Sequence, residues 1–207
     1  SSASITGSTV FCVGGSTTLT ASANPAATDY AWTLNGSALA TTSSITASAA
    51  GVYAVVTTDA NGCTASASQT VSSVDNPTVT ISSNCTTILA GNSATLTATA
   101  ATNFGSITTY QWVLNGSTNV GTNSATYNTS VVGSYTCIVT NSTGCTATSN
   151  AVVIENTSAL NGAYTIGGTG CNNFTSFANA FAALNARGVN GNVTFTVANA
   201  YTETAPS

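Results

Sequence analysis

Residues Tyr30 to Ser37 read Tyr-Ala-Trp-Thr-Leu-Asn-Gly-Ser, and residues Tyr110 to Ser117 read Tyr-Gln-Trp-Val-Leu-Asn-Gly-Ser. The echo continues. Gly51-Val52-Tyr53, followed by Asn61-Gly62-Cys63, returns as Gly133-Ser134-Tyr135, followed by Thr143-Gly144-Cys145. A period of roughly 80 residues is too long for one turn of a solenoid and matches a small β-sandwich, so the chain carries two like domains in tandem.

Within each repeat the apolar residues alternate. Leu19 and Ala21 share one face of a short run, Tyr30, Trp32 and Leu34 share another, and Tyr53 and Val55 a third, which is the period of half-buried strands. Turn signals divide them: Ala23-Asn24-Pro25, Leu34-Asn35-Gly36, Ala49-Ala50-Gly51, and Asp59-Ala60-Asn61-Gly62, the last a hairpin signal because Asn-Gly accepts positive φ. The second repeat keeps the order through Leu96, Trp112, Leu114, Tyr135 and Gly144. Trp32, Tyr53, Trp112 and Tyr135 are therefore read as core centres, the two tyrosines as tyrosine corners.

Charge excludes several functions. Charged residues are 3% of the chain, with Arg187 the only base and Asp29, Asp59, Asp75, Glu155 and Glu203 the only acids. Nothing here clusters Lys or Arg, so nucleic acid and anionic lipid surfaces are not expected partners. The longest apolar runs are far short of the roughly 20 residues that span a bilayer, so direct membrane insertion is not expected either. Ser1-Ser2-Ala3-Ser4 has neither the basic start nor the apolar core of a signal peptide. The run from Tyr201 to Ser207 stops soon after a strand-like segment, and the chain is read as a window on something longer.

Six cysteines occur without a histidine and without a C-x-x-C pair, which points to disulfides rather than zinc or a dithiol redox site. Cys12 and Cys85 stand near the start of their repeats, and Cys63 and Cys145 follow the late turn. Repetition pairs Cys12 with Cys63 and Cys85 with Cys145. Each bridge would close a loop of roughly 50 to 60 residues, worth about 4 kcal/mol from chain entropy. Cys137 stands where the first repeat has Val55 and reads as a small buried hydrophobe. The alternative is a bridge from Cys137 to Cys171.

The strand order, a tryptophan on a central strand and a Gly-x-Tyr at the start of a late strand fit an immunoglobulin-like sandwich best. The combination of an early cysteine, Ser/Thr-Leu-Thr-Ala, Tyr-x-Trp-x-Leu-Asn-Gly, Gly-x-Tyr and a closing Gly-Cys-Thr-Ala resembles the immunoglobulin-like and PKD-like repeats of giant secreted and cell-surface proteins of Bacteroidota, over roughly residues 5 to 155. That resemblance implies an extracellular protein and export by type IX secretion. The C-terminal sorting domain of that route is not visible in this sequence.

After Glu155 the pattern changes. Ala163 to Gly168 reads as a strand; Phe174, Phe177, Phe181 and Leu184 step at helical spacing and are expected to face a core; Gly191 to Val197 returns to strand. This opening resembles the N-terminal cap of right-handed parallel β-helix domains in the same giant proteins. The expected architecture is all-β: one sandwich over residues 1–74, a second over 75–156, and an incomplete β-helix-like module with one short helix over 157–207. That last module is not expected to stand alone.

Catalytic constellations are missing. Without histidine or lysine there is no Ser-His-Asp, Cys-His or Ser-x-x-Lys arrangement, the five acids are scattered, and Asp29, Asp59 and Asp75 lack the spacing of a calcium loop. No catalytic residue, metal site or cofactor is predicted; Asp59 reads as a turn former. The expected function is a non-enzymatic cell-surface adhesin or structural repeat protein that assembles into surface filaments, with other copies or downstream domains, surface glycans and other cell-surface proteins as the partner classes. The competing expectation is the accessory region of a secreted polysaccharide-degrading β-helix enzyme.

Overall fold

Each Leu-Asn-Gly motif closes a strand by the same device. Asn35 and Asn115 sit at φ 51° and 52°, a left-handed conformation that asparagine tolerates. The Asn35 side-chain oxygen accepts the N–H of Val52 at 2.9 Å, and Asn115 accepts that of Ser134 at 2.9 Å. Gly51 and Gly133 precede those donors because a Cβ there would lie 2.7 Å from Leu34 Cδ1 and 2.5 Å from Leu114 Cδ1. The repeated letters are thus one turn clamped to the opposite strand.

A computed structural model of the chain describes residues 1–89, 92–156, 159–168, 170–199 and 201–202. Glu203 and the chain end, and part of the expected boundary at residues 157 and 158, lie outside the described residues. The first repeat forms β1 (Ser2–Thr6), β2 (Val10–Cys12), β3 (Thr17–Asn24), β4 (Ala27–Leu34), β5 (Ser37–Ala40), β6 (Ser44–Ala47), β7 (Gly51–Asp59) and β8 (Thr64–Val74). They make two sheets, β1-β3-β6 and β2-β8-β7-β4-β5. All pairs are antiparallel except β2 on β8, which run parallel with Cys12 opposite Val74. Phe11, Leu19, Trp32, Tyr53, Val55 and Val71 fill the space between the sheets.

The second repeat gives β9 (Thr78–Ser83), β10 (Thr87–Ile88), β11 (Ala94–Ala101), β12 (Ile107–Leu114), β13 (Thr118–Val120), β14 (Thr126–Thr129), β15 (Gly133–Asn141), β16 (Thr146–Thr148) and β17 (Val152–Asn156). Its sheets are β9-β11-β14 and β10-β17-β15-β12-β13, with β16 also on β15, and β10 runs parallel to β17 as β2 does to β8. Both repeats are immunoglobulin-like sandwiches, and the fold is all-β with one short helix among the described residues.

The remaining segment forms β18 (Leu160–Ile166), β19 (Asn173–Phe174), α1 (Phe177–Arg187) and β20 (Val189–Val197). β18 lies between β19 and β20 and pairs in parallel with each. Ser176 caps the helix by accepting the N–H of Asn179, and Gly188 ends it at φ 68°. The phenylalanine stripe differs from its expectation. Phe174 lies in β19, before the helix starts, so the three-residue step to Phe177 crosses an element boundary. Tyr164, Phe174 and Phe195 stack with centroids 5.6 to 6.0 Å apart and occupy the core volume. The helix meets them with Ala180, Ala183 and Leu184, while Phe177 and Phe181 are 37% and 61% exposed.

By contact the chain divides into two compact units. One is Ser1–Pro77 with Thr102–Ile107 and Thr140–Thr146; the other is Thr78–Ala101, Thr108–Val139 and Ala147–Ser207.

Candidate functional site

The feature with the most chemistry is a pair of matching cysteine loops. In the first repeat Asp59, 7% exposed, closes β7, and its Oδ1 accepts the N–H groups of Asn61 and Cys63, both at 2.9 Å. The Asp59 N–H donates to Cys63 O at 2.9 Å and Gly62 N–H to Asp59 O at 3.0 Å. In the second repeat Asn141, 2% exposed, does the same: its Oδ1 accepts from Thr143 N–H at 3.1 Å and Cys145 N–H at 2.9 Å, its own N–H donates to Cys145 O at 2.9 Å, and Gly144 N–H donates to Asn141 O at 3.0 Å. Asn141 adds what a carboxylate cannot. Its Nδ2 donates to Thr102 Oγ1 and Phe104 O, both at 3.3 Å, tying in the loop ahead of β12.

The cysteines pair differently from the repeat-based expectation. Cys12 is bridged to Cys145, with Cα atoms 5.6 Å apart, and Cys85 to Cys171, at 6.3 Å. Cys63 is a free, exposed thiol, and Cys137 is free and buried. Strand direction explains why Cys12–Cys63 and Cys85–Cys145 do not form. Cys12 lies beside Val74 at the far end of β8, whereas Cys63 precedes Thr64 at its near end. Ten residues of strand separate the two by about 33 Å, against the roughly 7 Å a disulfide allows. Cys85 enters β10, opposite the end of β17 near Gly133, and Cys145 faces Asn141 at the other end of β15. That is again about 26 Å of strand.

The second bridge joins a small polar and apolar junction. Ile88 and Leu89 are successive and both 1% exposed. Neighbouring strand side chains point to opposite faces, so the two cannot enter the same core. Leu89 instead packs with Leu160, Tyr164, Ile166 and Phe174. Its N–H donates to Cys171 O at 3.3 Å, and Asn92 Nδ2 donates to Cys171 O at 3.1 Å and to Asn173 O. Leu89 and Asn92 escaped the sequence reading, and the signal was that doubled apolar pair at the end of a short strand.

The four aromatic residues singled out from sequence are interior. Trp32 and Trp112 are 1% and 0% exposed, and their indole N–H groups donate to Thr42 O at 2.8 Å and Ser124 O at 2.9 Å. Tyr53 and Tyr135 donate their hydroxyls to backbone oxygens four residues upstream, Ala49 and Val131, both at 2.8 Å. Burial raises the Tyr135 phenol above its ordinary value, with Thr129 opposing and Tyr127 reinforcing the shift. A cleft of about 310 Å³ lies between Val10, Ser72 to Asp75, Asn103 and Phe104. Among the described residues no group of three or more His, Cys, Asp or Glu could hold a metal ion.

Burial pushes the Cys137 thiol up to about 11 from 9.0, a backbone hydrogen bond opposing. Between those values the unfolded chain releases its proton and the folded chain keeps it. Stability contributed by the neutral thiol is therefore complete below pH 9 and declines as pH rises toward 11, by roughly 3 kcal/mol in all. Urea melts taken across that range should show the decline in the native chain. A Cys137→Val variant should show a shallower one, leaving the loss due to Tyr135 at the upper end.

No family model matches the sequence, and no curated protein matches it. Among solved structures the chain is similar to the fibronectin(III)-like modules of Clostridium thermocellum CbhA, at 15% identity and a TM-score of 0.44, over 74% of this chain and 95% of that one. It is also similar to murine CEACAM1b, at 16% and 0.39, over 74% and 100%. A third similarity is to the N-terminal four Ig domains of Dscam1 isoform 7.44, at 19% and 0.35, over 72% and 42%.

Proposed function

We propose that the chain is a non-enzymatic part of an extracellular, cell-surface protein of the adhesin type. Its sandwiches act as spacers or low-affinity binding modules, and its copies assemble into surface filaments. The observation that carries this reading is the direction of the bridges. Cys12 of the first repeat is bonded to Cys145 of the second, and Cys85 of the second to Cys171 of the following segment. Bridges running forward along the chain hold an array together, whereas an enzyme's bridges have no reason to follow the repeat.

Other features support it. Disulfides persist in oxidising compartments and are rare in the cytosol, which agrees with secretion, by the type IX route in this reading. Among the described residues no helix is long and apolar enough to cross a membrane. With 3% charged residues the surface offers little repulsion between copies. Other copies or downstream domains, surface glycans and cell-surface proteins are the partners this role calls for. The parallel register of β18 with β20 agrees with a β-helix-like module opening at residue 157, and it is also the one observation favouring an accessory role beside a polysaccharide-degrading β-helix.

Beads coated with the full chain are expected to be retained on glycan-coated or cell-coated glass, and the soluble chain to release no reducing ends from a polysaccharide panel. Reducing-end release would overturn the non-enzymatic reading in favour of the accessory one. Retention no greater than that of bare beads would remove adhesion and leave the spacer role.

A further inference from the structure

Cys63 and Cys145 occupy one loop built twice, yet one is exposed and free while the other is 1% exposed and bonded. The partner of Cys145 is the cysteine that ends the short second strand of the preceding repeat. The place of Cys12 in the second repeat is held by Leu89, because Thr87 and Ile88 pair with β17 as Val10 and Phe11 pair with β8, and Leu89 packs on the segment that follows; Cys85, four residues earlier, is bonded to that same segment. So in both cases on view a cysteine near the start of a sandwich bonds forward. Cys63 is the matching acceptor for a sandwich one place earlier.

The surroundings of the two loops agree. In the second repeat, the turn at Thr102–Ile107 is tied to Asn141 and to Ser142, and with the ends of β2 and β8 it lines the cleft between Val10, Val74 and Phe104. The corresponding turn of the first repeat, at Asn24, Pro25 and Ala26, is exposed, as are Ala60, Asn61 and Gly62. The amino terminus lies at that same end, with Ser1 Oγ donating to Thr64 O at 3.2 Å and Ser2 opposite Asn24.

We infer that the exposed end of the first sandwich, the turn at residues 24–26 with the loop at 59–63, is a docking surface for another immunoglobulin-like sandwich, latched by a disulfide between Cys63 and that domain's cysteine at the place of Cys12. This deepens the array reading above and rests on it for the partner's identity, though not for the chemistry of Cys63. The latch forms by exchange with a small-molecule disulfide such as oxidised glutathione. The Cys63 thiolate attacks one sulfur, releasing one reduced glutathione and leaving a mixed disulfide. The incoming cysteine thiolate then displaces the second glutathione, so two thiols are oxidised and one disulfide is reduced to two thiols.

The test uses the full chain extended at its amino terminus by a second copy of residues 1–77, refolded in a glutathione redox buffer and mapped without reduction. The added Cys12 is expected to be recovered joined to the original Cys63, with Cys12–Cys145 intact as the sign of correct folding. Replacing the original Cys63 (Cys63→Ser) should abolish the new peptide and leave the added thiol capped by glutathione. A second arm uses the unextended chain with Cys145→Ser, whose freed Cys12 should cross-link to Cys63 of another copy, giving a ladder on non-reducing gels that Cys63→Ser removes. A Cys12–Cys63 link in either arm supports the docking surface. Its absence from both, or recovery of Cys63 only in Cys63–Cys63 dimers, overturns it while leaving the adhesive role to be judged by the bead assay.

Discussion

Trp32→Ala is expected to lower the stability of the first sandwich by roughly 3 to 5 kcal/mol, and Trp112→Ala to do the same to the second. The indole leaves a cavity that the facing sheets cannot close, because Leu19, Tyr53 and Val55 are already 0 to 2% exposed and packed in both directions. The loss also removes the indole N–H bond to Thr42 O or Ser124 O. Against a typical domain stability of about 5 to 15 kcal/mol this is enough to unfold a weak sandwich. The chain contains two tryptophans, so each variant leaves one as the reporter of the other repeat. Fluorescence of the survivor should keep its native emission and its urea midpoint. Unchanged stability in both variants together with lost ligand binding would show that the tryptophans are surface platforms.

Replacing Cys85 and Cys171 together by serine is expected to cost between about 4 and 5 kcal/mol, since their bridge closes a loop of 86 residues. The effect should fall on β18, α1 and β20. Their core is a handful of residues, one of which, Leu89, is contributed from outside the segment. Hydrogen exchange is the suitable measurement. Amides of Thr165, Ile166, Phe195 and Val197 should lose most of their protection while those of Leu96 and Tyr135 hold theirs. Uniform loss across both groups would mean that the segment and the second sandwich unfold as one.

The sandwiches were legible because their determinants are local and repeated. Alternation around Trp32 and Trp112, and the Asn35–Gly51 and Asn115–Gly133 clamps, each advertise themselves within a few residues. Bridge pairing was not legible, because it depends on which ends of strands meet. The parallel placement of β2 on β8 is a contact across some 60 residues, visible in sequence only as the detached apolar triplet Val10-Phe11-Cys12. The helix was legible and its buried face was not. Phe174, Phe177 and Phe181 keep a helical step by counting across a boundary, and the helix meets the cluster of Tyr164, Phe174 and Phe195 with Ala180, Ala183 and Leu184 instead of Phe177 and Phe181. Asp59 was legible as a turn former, since an Asp before Asn-Gly takes up the N–H groups that such a turn exposes.

The two bridged intervals overlap, Cys12 to Cys145 and Cys85 to Cys171, and that overlap has a mechanical meaning. Tension entering at the amino terminus crosses from Cys12 directly to Cys145, then runs along roughly 26 residues to Cys171, so even when fully unravelled that stretch spans at most ~90 Å. With both bonds reduced, the same pull draws out about 159 residues, or ~550 Å. The chain is therefore a short, nearly inextensible tether in an oxidising medium and a long compliant one in a reducing medium, with its reach under load set by redox state.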